Sequence, residues 1–142
     1  MTIREAAPED APALARLLAE LGYPDDRERV AARIGDFDGS GSSLILVADD
    51  DGEVVGLASA TFLPLLHEDG RWCRLSALVV ADRSRRRGVG RELVAELEER
   101  ARAAGCRYLE VTSGERPGRE AAHAFYEALG LEQVSRRYLE EL

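Results

Sequence analysis

Five arginines fall between Arg83 and Arg91, and two glycines stand among them, in the stretch Arg85-Arg86-Arg87-Gly88-Val89-Gly90-Arg91. An apolar run at residues 75–81, containing Leu78, Val79 and Val80, comes before it, and a strongly amphipathic segment follows. Strand, glycine-bearing turn and helix start together make an anion site. The first N–H groups of a helix have no intrahelical partner, and the helix dipole places partial positive charge on them. Gly88 and Gly90 carry no side chain, so a phosphate can approach the backbone closely. The natural ligand of such a turn is a diphosphate.

Two familiar phosphate motifs fail here. A dinucleotide fingerprint needs a third glycine, and Leu93 stands at that position. A P-loop needs a lysine, and the chain has none; all 19 basic residues are arginine. The pattern that fits is R-x-x-G-x-G after an apolar strand. A second motif lies further on, in Ala124-Phe125-Tyr126-Glu127-Ala128-Leu129-Gly130-Leu131. Together they resemble the two signatures of the GNAT superfamily of N-acetyltransferases, the second through Phe125, Tyr126, Leu129 and Gly130. The resemblance spans the chain and is specific from about Arg74 to Leu131.

The resemblance implies acetyl-CoA as cosubstrate and no metal. It implies that Leu78, Val79 and Val80 pair with the pantetheine arm, and that Arg85, Arg86, Arg87, Gly88, Val89, Gly90 and Arg91 form the pyrophosphate loop. An amine would attack the thioester directly, with the N–H of Val79 or Val80 holding the oxyanion and Tyr126 protonating the departing thiolate. A packed aromatic is the bland alternative for Tyr126. The family often places a glutamate where this chain has Ser76, which leaves the general base open among Glu110, His67, Glu68 and His123. Arg119 stands where an asparagine is common.

These residues need elements to hold them. Residues 2–5 read as a strand. Leu14, Leu17, Leu18 and Leu21 mark one helical face, and Val30, Ile34 and Phe37 mark another in residues 26–37. Residues 39–42 read as a connector. Residues 43–48 form a continuous apolar run, expected to be buried on both faces. Asp51-Gly52 signals a hairpin, residues 53–62 the return strand, and Gly56 within it a bulge or close approach. Residues 63–70 read as a loop, 71–81 as the central strand, and 88–104 as a helix with Val89, Leu93, Val94, Leu97 and Ala101 inward. A strand at 107–112, a loop at 113–118 with Gly114 and Pro117, a helix at 119–129 and one or two strands in 131–142 complete the order. This is a mixed α/β class. It matches the GNAT fold, a mostly antiparallel central sheet with a splayed strand pair and about four flanking helices, as one domain over residues 1–142.

Composition narrows the function further. Net charge is −8, which argues against a nucleic-acid surface and makes the arginine cluster a local site. No apolar run is long enough for a membrane span, and the N-terminus lacks signal-peptide form, so a cytoplasmic protein is expected. Cys73 and Cys106 fit no metal or redox spacing and read as reduced thiols. The stretch SGERPGREAAHAFY at 113–126 resembles GNAT members acting on small amines, such as aminoalkylphosphonates or aminoglycosides, which implies a small primary amine as acceptor, with protein N-termini and lysine side chains as the alternatives. A homodimer is a further implication of the family. The rival reading is a non-catalytic acyl-CoA-binding regulatory module.

Overall fold

Three strands consecutive in sequence form the middle of the sheet, because each apolar run is followed by a turn too short for anything but an antiparallel return. The computed structural model describes residues 1–113 and 118–142, in two compact units, Met1–Glu110 and Val111–Leu142. The first unit holds β1 (Thr2–Glu5), α1 (Ala11–Leu21), α2 (Arg27–Ser40), β2 (Ser43–Asp50), β3 (Glu53–Leu65), β4 (Glu68–Val80) and α3 (Val89–Ala103). β5 (Cys106–Val111) follows, and α4 (Glu120–Ala128) lies in the second unit. The strands run in the order β1-β2-β3-β4-β5.

β1 to β4 are antiparallel neighbours. β5 runs parallel to β4. The Arg71 N–H donates to the Gly105 carbonyl at 3.2 Å, Trp72 meets Tyr108 with ring centroids 5.0 Å apart, and Arg74 pairs with Glu110 at 2.5 Å. Later residues of β4 therefore meet later residues of β5. The helical crossover through α3 permits this parallel return.

Alternation along the strands gives the sheet two apolar faces. On one, Leu14 and Leu17 of α1 and Val30 and Ile34 of α2 pack with Val47, Leu57 and Val79. On the other lies α3, whose Val89, Leu93, Val94, Leu97 and Ala101 are all buried, as their spacing predicts. Leu46, Val47 and Ala48 are buried in succession, so β2 is covered on both sides. The close approach expected at Gly56 is real. A Cβ there would lie 3.1 Å from both Leu93 Cδ1 and Val89 Cγ1, and the register slips beside it, between Ala48 and Asp49 of β2. Gly56 pairs with Val80, so the first turn of α3 sits over the end of β4.

Three expectations need correction. Residues 63–70 are not a loop. β3 continues to Leu65, and only Leu66 and His67 separate it from Glu68 of β4. Pro64 misleads because it cannot donate to a ladder. β2 has already ended opposite it, since the last β2–β3 pair is Ser43 with Thr61, so no hydrogen bond is lost. The connector at residues 39–42 is shorter than expected because α2 runs to Ser40. Residues 131–142 form no strand. Val134, Tyr138 and Leu139 are more than four-fifths exposed, and β-favouring side chains do not make a strand without a partner ladder. Gly114 and Pro117 lie outside the described residues.

One polar clamp holds the start of the chain to the sheet. Arg4 grips Asp10 with two nitrogens, at 2.8 and 2.9 Å, and reaches Asp49 of β2 with its Nε at 3.0 Å. Asp10, which is nearly fully buried, also accepts the Ala7 N–H at 2.7 Å. Arg4 first, and then the Ala7 N–H, hold the Asp10 carboxyl below its ordinary 3.8 against the opposing effect of burial. This stabilisation is complete above pH about 4 and is lost as pH falls through the lower folded value. Arg4→Met is expected to cost about 2–3 kcal/mol, because it strands a buried carboxylate. It should also raise the acid-unfolding midpoint. Circular dichroism titrations of the two proteins check both.

Candidate functional site

The site begins with an irregularity in β4. Ser59 pairs with Ala77 and Ala60 with Leu75, so Ser76 has no opposite residue and forms a bulge. Its hydroxyl donates to the Ser59 carbonyl at 3.2 Å and lies 2.8 Å from the Ser59 hydroxyl. A hydroxyl has one proton, so Ser59 Oγ is the donor to Ser76 Oγ. A serine pair therefore occupies the place where a family glutamate was expected.

Past the bulge, ladder parity sets where the backbone points. The Ala81 N–H donates to the Val55 carbonyl at 2.8 Å, in register with the β3–β4 pairs. Alternate residues of an antiparallel strand face opposite neighbours. Ala77, Val79 and Ala81 therefore turn their N–H and C=O groups toward β3. Leu78 and Val80 turn theirs to the other edge. The expectation of an N–H from Val79 or Val80 narrows to Val80, joined by Leu78; the Val79 backbone is committed to Leu57. The Val80 carbonyl already accepts Arg85 Nε at 3.2 Å.

That edge leads into the turn. Arg86 and Gly88 both have left-handed backbone, with φ of 64° and 81°. Gly88 is the N-cap of α3 and offers no side-chain cap. The first amide of this helix to find an intrahelical partner is that of Glu92, which donates to the Gly88 carbonyl at 3.0 Å. The N–H groups of Val89, Gly90 and Arg91 thus make a cluster of donors at the positive end of a helix of 15 residues.

The arginines divide into two groups. Arg83 pairs with Glu53, Arg85 with Asp82 at 2.8 Å, and Arg87 with Asp50 at 3.6 Å. Arg86 and Arg91 are exposed and have no ion pair among the described residues.

Among the candidate bases, His67 and Glu68 sit at the β3–β4 turn, ten residues along β4 from Leu78. At about 3.3 Å per residue that is roughly 33 Å, which removes both from the Leu78 edge. Glu68 also accepts Trp72 Nε1 at 3.3 Å. The Glu110 carboxylate is tied to Arg74. In the second unit, His123 and Tyr126 are both half-buried on α4. Burial pushes the Tyr126 phenol above its ordinary 10, and Arg119 partly opposes this. Its ring meets Phe125 edge-on at 5.5 Å. The serine pair carries no sequence signal because it depends on register between β3 and β4, and the Arg85–Val80 bond carries none because it depends on the fold of the turn after β4.

The comparisons decide the family. A model described as the acetyltransferase (GNAT) family matches residues 9–131. The chain belongs to the GNAT acetyltransferases. An aminoglycoside N(6′)-acetyltransferase type 1 of Stenotrophomonas maltophilia is 34% identical over 144 residues, covering 95% of this chain and 88% of its own. A putative acetyltransferase from Agrobacterium tumefaciens C58 superposes with a TM-score of 0.88 at 26% identity, with all of both chains covered. The aminoglycoside N-acetyltransferase AAC(6′)-Iy, solved in complex with CoA, shares the fold at a TM-score of 0.86 and 19% identity, over 99% of this chain and 93% of its own. This GNAT chain is accordingly an acyltransferase of the N-acetyltransferase type, and the non-catalytic rival gives way.

The two loop glycines separate experimentally. Gly88 needs its left-handed φ, whereas Gly90 lies within the helix. Gly88→Ala is expected to destabilise the protein by about 1–2 kcal/mol. Gly90→Ala is expected to leave stability unchanged or raise it by up to about 1 kcal/mol. Thermal denaturation of the two variants tests the difference in sign.

Proposed function

We propose that this GNAT chain transfers the acetyl group of acetyl-CoA to the primary amine of a small molecule. One observation carries the reading. The outward backbone groups of Leu78 and Val80 are followed, after one short helical turn at Asp82–Ser84, by the left-handed turn and the open N–H groups of α3. An extended arm bearing amides fits the first part and a diphosphate the second. The pantetheine would pair with the β4 edge as an added strand. Arg85 would release the Val80 carbonyl to an amide of the arm. Arg86 and Arg91, which have no carboxylate partner among the described residues, would meet phosphate charge.

In the reaction the neutral amine attacks the thioester carbon and forms the C–N bond. The carbonyl oxygen takes up negative charge, and an N–H of Leu78 or Val80 stabilises it. The C–S bond then breaks, coenzyme A leaves as a thiolate, and Tyr126 donates its proton to the sulfur. The new amide nitrogen loses its extra proton to water. The raised Tyr126 pKa supports this role, because it keeps the phenol protonated at neutral pH and somewhat above its ordinary value.

The aminoglycoside acetyltransferase from Stenotrophomonas maltophilia supports a small-molecule acceptor. Two free thiols support a reducing, cytoplasmic setting; burial pushes Cys73 up to about 12. Among the described residues no helix is long and apolar enough to cross a membrane. The family implication of a homodimer is supported by the exposed apolar side chains of Val134, Tyr138 and Leu139.

Two variants test the assignment. Tyr126→Phe is expected to lower kcat by about 100-fold while the acetyl-CoA Kd stays constant. Unchanged turnover would remove the general-acid role. Gly90→Ala is expected to weaken acetyl-CoA about tenfold, the loss of roughly one hydrogen bond to a charged group. Titration calorimetry with the intact variant would show no change if the diphosphate binds elsewhere.

A further inference from the structure

A cleft of about 160 Å³ opens between the α1–α2 pair and the sheet. Its walls are apolar, with Leu14 and Leu18 from α1, Ile34 and Phe37 from α2, and Leu57 and Ala77 from the sheet. Ala77 immediately precedes Leu78, whose N–H looks out from the sheet edge, so the cleft adjoins the stretch assigned to the thioester. The polar side chains on its lining are Ser59, which donates to Ser76, and Arg33. Arg33 is ion-paired with Asp25. Among the described residues no carboxylate lines the cleft.

We infer that this cleft seats the body of the acceptor, and that the acceptor is a monoamine on a compact apolar frame, of the arylalkyl or branched-alkyl kind. The inference rests on the acetyltransferase reading above and adds the substrate class to it. Size and charge agree. The volume falls below the ~300 Å³ at which drug-sized sites begin, so one ring or a short branched chain fills it. A polycation such as an aminoglycoside would bring several ammonium groups against Leu14, Leu18 and Ile34 with no lining carboxylate to pair them. A monoamine needs only one polar neighbour, and the Ser59 hydroxyl is there. The apolar walls also assist the chemistry. Desolvation disfavours an ammonium relative to the neutral amine, and the neutral amine is the nucleophile. The cleft thus supplies part of what a strand glutamate would have done where Ser76 now stands.

The test measures acetyl-CoA-dependent formation of N-acetyl product, by mass, with 2-phenylethylamine, cyclohexylmethylamine, spermidine and kanamycin. The two apolar monoamines are expected to exceed the two polycations in kcat/KM by at least about tenfold. Leu18→Glu is expected to raise KM for 2-phenylethylamine by about tenfold or more, with the acetyl-CoA Kd unchanged. Phe37→Ala, a milder change on the other wall, should move KM in the same direction. Preference for spermidine or kanamycin would overturn the apolar-acceptor proposal and leave the acetyltransferase reading standing. Acceptor kinetics untouched by both variants would overturn the placement in this cleft. Acetyl-CoA binding without acetylation of any amine would instead overturn the acetyltransferase reading, and the acceptor class with it.

Discussion

Backbone polar groups must be paired, and a β-strand can satisfy only half of its own against one neighbour. β4 faces this constraint along its last turn of sequence. Its pairing with β3 uses the groups of Ala77, Val79 and Ala81, and the contacts described between β4 and β5 fall between Asp69 and Arg74. Leu78 and Val80 are left facing outward. The bulge at Ser76 sets which residues these are, since one extra residue reverses the side to which everything after it points. The Arg85 side chain on the Val80 carbonyl is a local answer to the same constraint, made with a group that can move away.

The helix that completes the site is placed by packing. Gly56 has no side chain, so Val89 and Leu93 settle against β3 directly beside Val80. A methyl group at that position would push the first turn of α3 outward. The donors at Val89, Gly90 and Arg91 lie next to the open edge of β4 because of this contact. Charge plays a smaller part than the arginine count suggests, since Arg83, Arg85 and Arg87 are each met by an acidic residue. In the proposed anion site the ordered amides would be the fixed part, and Arg86 and Arg91 the adaptable part.

The serine pair bears on the proton removal proposed above. A glutamate on β4 would hold a negative charge near the amine and attract any cation. Ser59 and Ser76 satisfy each other and bring no charge to the neighbouring cleft, where the Arg33 guanidinium is paired with Asp25. An apolar cleft favours the neutral form of an amine without accepting its proton, so water can serve as the final acceptor. On the acceptor placement proposed above, substrate selection and amine activation share one physical origin, a cleft whose walls are largely apolar.

Features that depend on neighbours close in the chain are legible in the residues alone. The faces of α1, α2 and α3 follow from helical spacing. The Asp51-Gly52 turn follows from residue type, and the glycine-bearing turn before α3 follows from Gly88 standing between a strand and a helix. Motif resemblance carried the family. Tertiary structure alone decided what depends on register across strands. It made residues 63–70 a hairpin, because Pro64 lies beyond the end of β2. It left residues 131–142 without a strand, because β-favouring residues need a partner to pair with. It also turned Leu78 and Val80 outward and Val79 inward, paired Glu110 with Arg74, and brought Ser59 against Ser76. The last three depend on which residue of one strand lies opposite which residue of its neighbour, and a one-residue slip would undo them.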